Sequence, residues 1–327
     1  MNSFLSAGYT QFKNYDAYGN GRISVIVSLY IYIILSCFNI YNLNFSLNQT
    51  FFFVIPAVLA IGAAHLNNIN SFQQRNSTFI VFMVFTACGV FGFTIAEKYN
   101  TYALLVFSFA LYFALMTVTS FTGFTQYRGL IPPVFVLSFL TILVGGAGQF
   151  YVAVNRCISM AVAGIIAYLS LQLIPAKYYH QIWFNSANMV LKRIIDQLEL
   201  IVINKSGNVI FHGDCVIRMN NSLGFTKVAK HEKDFQHCTT KINQFYFGIA
   251  LTYSNYAKYN QNGCLSNLFS WLKTAYPIFK EHNSIPADLI EQIVRNQYTA
   301  PNSDIRNLWQ ILHEISQLWN SLCISNR

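Results

Sequence analysis

Charge is what this chain has least of. Asp, Glu, Lys and Arg make up 10% of its residues, against about 25% in an ordinary soluble domain. Hydrophobic residues reach 54% and the mean hydropathy is +0.37, which points away from a wholly soluble chain. Dense basic clusters are also missing. The longest is Lys192-Arg193, which excludes the Lys/Arg-lined face that a nucleic-acid-binding protein presents. The net charge of +9 is explained more simply by excess positive charge on the cytoplasmic side of a membrane protein. The seven cysteines include no CxxC. Cys37, Cys88 and Cys157 stand singly in apolar segments and four lie beyond Pro175, a pattern of reduced thiols facing a cytosol rather than a disulfide scaffold. No cleavable signal is expected, because the first 22 residues are polar and the apolar run after them exceeds an h-region of about 7–15 residues. Neither a low-complexity tract nor a short repeat is visible.

The few charges are unevenly placed. Residues 1–175 hold six Lys/Arg (13, 22, 75, 98, 128, 156) and two acids, Asp16 and Glu97, while the remaining 152 residues hold fifteen Lys/Arg and ten acids. This shift marks a domain boundary near Pro175.

Before that boundary, six apolar runs approach the ~20 residues that a bilayer-crossing helix needs: about 23–43, 50–66, 77–96, 101–121, 129–148 and 157–175. Backbone polar groups in lipid must be satisfied within the segment, so helices are the economical reading of such runs. With the N-terminus inside, inner loops carry Lys13, Arg22, Arg75 and Arg128, followed by Lys177, Lys192 and Arg193. Outer loops carry only Lys98, beside Glu97, and Arg156. The asymmetry places both termini in the cytoplasm.

Beyond Pro175 the pattern stays helical. Trp183, Ala187, Val190, Ile194, Leu198 and Ile201 recur at three- and four-residue steps, and so do Ile305, Leu308, Leu312, Ile315, Trp319 and Leu322 behind a Ser303 cap. Residues 205–214 read as a turn-rich connector, 239–261 as another helix and 261–264 as a break. The expected architecture is an all-α integral membrane protein: a cytoplasmic segment 1–22, a six-helix transmembrane bundle 23–175 and a helical cytoplasmic domain 176–327.

Several residues could carry chemistry. In the sixth run Ser159, Ala163, Ala167 and Ser170 fall on one stripe with Arg156 one turn above. Gly89, Gly92 and Ala96 do the same in the third run, and Ala57, Ala60 and Ala64 in the second. Small residues permit close helix packing in membranes; the alternative is the wall of a substrate path with a cation at its mouth. Arg156 leads that second reading, since an arginine at a membrane boundary faces protein or water and its fork matches a carboxylate. A snorkelling interface anchor is its bland counterpart. His65 and Glu97 are candidates for proton coupling, set against an interfacial histidine and a loop ion pair of Glu97 with Lys98. Pro132-Pro133 fits a helix start. The cluster 145–148 lacks the context and Lys of a phosphate loop. His212, Asp214, Cys215, His237 and Cys238 are metal-ligand types without zinc spacing, so neither a metal nor a cofactor is expected, and no catalytic set is visible.

Three stretches carry a resemblance: AAHLNNINSFQQRNSTF (63–79), FTGFTQYRG (121–129) and NRCISMAVAGIIAYLSLQLIP (155–175). With the helical domain that follows, they resemble the fusaric acid resistance protein-like superfamily, the aromatic acid exporters, over nearly the whole chain. The Gly-Thr-x-x-Gly usual on that family's last helix is represented here by Gly164 alone, with Ser159 and Ala163 nearby. The resemblance implies export of aromatic carboxylates with a periplasmic membrane fusion subunit, and its plant relatives are anion channels with cationic pores. Arg156 matches the family's arginine before the last helix; Arg75 and Arg128 match more weakly. Family members often have two six-helix blocks, so this single block implies a homo-oligomer.

The expected function is therefore export of small organic anions, aromatic carboxylates foremost, across a bacterial inner membrane. Membrane lipid surrounds the bundle, nucleic acid is not a partner and enzyme activity is not expected. A passive anion channel and a membrane scaffold whose cytoplasmic domain binds a protein partner are the alternatives.

Overall fold

A computed structural model describes residues 19–42, 59, 61–62, 69, 71–121, 123–143, 150–204, 213–226, 231–259 and 262–325. All regular structure among them is helical. The chain divides into two compact units at Ile174/Pro175.

The unit of residues 20–174 contains α1 (Asn20–Asn42), α2 (Phe72–Ala96), α3 (Thr101–Val118), a 3-10 turn (Thr125–Leu130), α4 (Ile131–Leu143) and α5 (Phe150–Gln172). Of these, α2, α3 and α5 are long and apolar enough to cross a bilayer. Within α1 the shorter stretch Gly21–Ile34 is apolar, and α4 is 13 residues long. Of the second run, only 59, 61 and 62 lie among the described residues. Ala57, Ala60, Ala64, His65 and the cluster 145–148 lie outside them.

α2 is the central helix. It packs on α3, α4 and α5, while α1 packs on α5 and buries an Ile23, Val27 and Ile31 stripe. Two sequence features start these helices. Ser71 Oγ accepts the Gln74 N–H at 3.1 Å, and Asn100 Oδ1 accepts the Ala103 N–H at 2.8 Å, each satisfying an orphan donor of a first turn. Pro132 and Pro133 sit in the first turn of α4, where a missing N–H costs nothing.

Glycines set the approach of the neighbours. A Cβ on Gly89 would collide with Ser138 of α4, and one on Gly92 with the Phe107 ring of α3. Beside them, fully buried Phe93 meets Phe107, Phe135 and Phe139 edge-on at 5.0, 5.7 and 5.8 Å. Small residues thus admit the backbones and aromatic edges fill the remaining space. α3 buries only Leu111 and Leu115, leaving Tyr102, Leu105, Val106, Phe109 and Phe113 exposed. Such a surface suits hydrocarbon rather than water.

The unit beyond Pro175 contains α6 (Ala176–Asn204), α7 (Asp214–Ser222), α8 (Glu232–Tyr259), α9 (Asn262–Lys280), α10 (Ala287–Tyr298) and α11 (Ser303–Ser325). Every residue of the two apolar stripes expected on α6 and α11 is buried. They share one core with Phe235, Ile242 and Phe245 of α8 and Leu268 and Leu272 of α9.

Tryptophan N–H groups are satisfied inside this core, as buried indoles require. Trp183 donates to Thr239 Oγ1 at 2.9 Å, Trp271 to the Leu289 carbonyl at 3.0 Å and Trp319 to the Asn283 carbonyl at 3.2 Å. Asn320 clamps the segment before α10, accepting the Ile285 N–H and donating to the Ile285 carbonyl. Lys241 and Glu314 pair across α8 and α11. Three boundaries differ from expectation. α8 begins at Glu232, ahead of 239. α9 already runs from Asn262, through most of the expected break at 261–264. α11 is capped by Asn302, whose Oδ1 accepts the Ile305 N–H at 2.8 Å.

Candidate functional site

The candidate site is built on the antiparallel pair α2 and α5. Contacts run in reversed order along them: Asn76 with Gln172, Phe79 with Tyr168, Ala87 with Cys157 and Thr94 with Arg156. The Cys157 Sγ lies 3.6 Å from the Ala87 carbonyl and the Phe79 and Tyr168 rings 6.2 Å apart. Between the helices runs an apolar groove of about 350 Å³, whose lining includes Phe79, Met83, Ala87, Met160, Gly164 and Tyr168.

A buried arginine stands at each end of this pair. Both were expected at loop positions, and both lie within helices. α2 starts at Phe72, so Arg75 falls in its first turn; α5 starts at Phe150, so Arg156 falls in its second.

Arg75 is 1% exposed. Its Nε and Nη2 both donate to Asn76 Oδ1, at 3.1 and 2.8 Å, and Gln172 Nε2 donates to the same oxygen at 3.3 Å. The guanidinium also lies 5.1 Å from the centre of the Phe72 ring. This is a structural knot that joins the two helix ends.

Arg156 is 7% exposed, and its Nη1 donates to Thr94 Oγ1 at 3.0 Å. Thr94 in turn donates to the Val90 carbonyl at 2.7 Å, so its lone pairs face the guanidinium. The C-terminal end of α2, where helix carbonyls carry partial negative charge, is thus turned to a cation. Glu97 caps that end with its N–H on the Phe93 carbonyl. Glu97 Oε2 is shielded from solvent and makes no hydrogen bond. The expected loop ion pair with Lys98 is not formed among the described residues; the Lys98 side chain is exposed.

The other candidates divide clearly. Ser159 and Ala163 are buried on the same face of α5 as Arg156, with Ser159 Oγ bonded to the Asn155 carbonyl at 2.9 Å. Gly89 and Gly92 face α4 and α3, away from Arg156, and serve close packing there. Arg128 is exposed in the 3-10 turn and donates from Nη2 to Ser120 Oγ at 3.3 Å. His65 lies outside the described residues.

Sequence reading missed Asn76, Thr94 and Gln172, the partners that hold the two arginines. A signal was present: Thr78, Thr86 and Thr94, all buried, interrupt an otherwise apolar helix.

In the helical unit, His237 and Cys238 part company. Cys238 is fully buried while His237 is exposed. No group of three metal-ligating side chains gathers among the described residues, and no disulfide forms among the described cysteines. Burial pushes the Cys238 thiol far above its usual range, with Cys323 and Asp234 adding to the rise. Such a thiol is inert rather than nucleophilic.

In sequence comparison the chain matches no family model and no curated protein.

Proposed function

We propose that this protein is a multi-pass membrane transporter that exports small organic anions, aromatic carboxylates foremost. The observation that carries the reading is Arg156: a guanidinium buried in an apolar helix pair and hydrogen-bonded to the neutral Thr94 hydroxyl. A buried cation at membrane depth is costly and is retained where it faces a partner or a path. Its planar fork is suited to a carboxylate through two parallel N–H donors.

In this reading six spans cross the membrane with both termini in the cytoplasm. Arg156 and Glu97 then stand at the outer end of α2 and α5, and Arg75 and Arg128 at the inner end. Ser159 and Ala163 continue the path along α5, and His65 is the proton carrier to test beside Glu97. The resemblance to aromatic acid exporters supports the same substrate class, a homo-oligomer and a periplasmic membrane fusion subunit.

The test is growth of a deletion strain on a panel of aromatic and aliphatic acids, complemented by the intact gene and by Arg156→Gln. Sensitivity to aromatic acids that only the intact gene relieves is the expected result. Full rescue by Arg156→Gln removes the arginine from transport. Indifference to every acid overturns the exporter and favours the scaffold, whose partner would then be sought with the full chain.

A further inference from the structure

We infer that the groove between α2 and α5 is a binding site for one acyl chain of a membrane phospholipid, whose ester and headgroup region sits on a polar rim at the start of α2 and the end of α5. Arg156 is not part of its lining, and the site does not depend on anion export.

Hydrocarbon is what this groove meets first. Both of its helices are of spanning length, and its lips, Ile80 and Val84 on α2 with Ile165 and Leu169 on α5, are exposed apolar side chains. Among the described residues no charged side chain lines it. Gly164 keeps the floor low, since a Cβ there would press on the Met83 methyl. Met83 and Met160 belong to the lining, and methionine adapts its shape to an irregular guest.

Polarity changes along the same faces. Seven residues make almost two full helical turns, so Gln73 and Ser77 stand in line with Ile80 and Val84, and Gln172 stands in line with Ile165. α2 starts at Phe72 and α5 ends at Gln172. The three polar residues therefore gather at one end of the antiparallel pair, where a spanning helix passes from hydrocarbon to headgroups. Gln73 and Gln172 are exposed, and Gln172 already donates across the pair to Asn76. Amide and hydroxyl groups of this kind supply the donors that ester and phosphate oxygens accept.

Length selects the occupant. From Phe79 to Ala87 the lining runs about 12 Å along α2, at 1.5 Å per residue. That is close to the ~15 Å depth of one leaflet, half of a ~30 Å hydrocarbon core. A second spanning helix would need a seat more than twice as long. Farther along, the Phe91 and Phe150 rings meet edge-on at 5.8 Å, seven residues after Val84 and seven before Cys157. A polar rim, a slot one leaflet deep and an aromatic stop match the profile of a lipid tail.

The experiment places the full chain in phosphatidylethanolamine nanodiscs doped with a phosphatidylethanolamine that carries a photoactivatable diazirine in one acyl chain. Labelled residues are located by mass spectrometry for the natural protein, Ala161→Phe and Gly164→Leu. α3 is the standard for bulk lipid, because Leu105, Phe109 and Phe113 are exposed on it. The natural protein should be labelled several-fold more at Met83 and Tyr168 than along α3. Ala161→Phe fills the groove from an exposed position and Gly164→Leu fills it from the floor. Each should bring groove labelling down to the level of α3 and leave α3 unchanged, and either one suffices if the other does not fold. Equal labelling of groove and α3 in the natural protein means passing bulk lipid and overturns the site. Labelling of α3 alone means that another protein surface covers the groove, and overturns it too. Stronger groove labelling by a free fatty acid bearing the same diazirine removes the headgroup and overturns the phospholipid.

Discussion

Arg156 and Thr94 are 62 positions apart in the chain, yet the guanidinium Nη1 donates to the threonine Oγ1 at 3.0 Å. The bond joins the second turn of α5 to the last turn of α2. Thr94→Val keeps the shape and deletes the acceptor. A hydrogen bond to a charged group is worth about 1.5–3 kcal/mol, so thermal unfolding in detergent should show a loss of that order. Thr94→Ser, which restores the oxygen, should recover most of it. Equal stability of Thr94→Val and the natural protein would mean that Arg156 takes its support elsewhere.

Gly89 is the second point of leverage, because α4 approaches α2 there through Ser138. Gly89→Leu must push the helices apart, and overpacking of this kind costs about 1–3 kcal/mol. A reduced yield of monodisperse protein on size-exclusion chromatography is the expected readout. Gly129→Ala is the control: no atom lies within 4 Å of the added carbon, and the variant should match the natural protein.

All four tryptophans of the chain, Trp183, Trp271, Trp309 and Trp319, lie beyond Pro175. Intrinsic fluorescence therefore reports the helical unit alone. Trp319 packs within 5.0 Å of Phe184 and 4.9 Å of Phe279, ring centre to ring centre. Trp319→Ala should cost about 3–5 kcal/mol, a large share of the about 5–15 kcal/mol that holds a domain together. Fluorescence-detected melting of the remaining three tryptophans should show that unit unfolding tens of degrees earlier or already unfolded.

The buried thiols give the same unit an alkaline weakness. Burial raises Cys238 and, to a lesser degree, Cys215 above the ordinary thiol range, which is about 8.5. Above that pH the unfolded chain releases protons that the folded unit keeps. The folded state then binds more protons, and stability falls as pH rises. The contribution is complete below about pH 8.5 and declines above it, by up to about 1.4 kcal/mol per pH unit for one thiol. Melting followed by tryptophan fluorescence between about pH 8 and pH 10 should show the decline. Cys238→Ala should lessen the slope while lowering stability at every pH. An identical slope in both proteins would assign the effect to other groups, with Tyr246 and Tyr276, also raised by burial, next in line.

Much of the helical architecture was legible from spacing alone. The stripes Trp183–Ile201 and Ile305–Leu322 read as buried faces because a three- and four-residue period is the geometry of one helix side, and all twelve residues are buried. The apolar runs near 77–96, 101–121 and 157–175 appear as the three spanning-length helices α2, α3 and α5. What misled was polarity at helix starts. Gln73, Gln74, Arg75 and Asn76 resemble a loop, yet Ser71 caps the turn, Gln74 donates to Gln126, Arg75 donates to Asn76 and Gln172 donates to Asn76. Asn155 and Arg156 likewise resemble an interhelical boundary, while α5 runs through them from Phe150. A hydropathy window registers each residue's own cost and is blind to partners 62 or 96 positions away.

Those same distant partners govern how the membrane unit can move. Asn76 grips Gln172 near one end of α2 and Thr94 grips Arg156 near the other. The two fastenings are 94 − 76 = 18 residues apart on one helix, about 27 Å along its axis, close to the ~30 Å of a hydrocarbon core. Two rods fastened near both ends resist sliding and rolling past each other. α2 and α5 therefore travel as a single stave, and any opening of this unit has to form where other helices meet that stave. α3 fully buries only Leu111 and Leu115, which makes it the most lightly anchored of the three spanning-length helices.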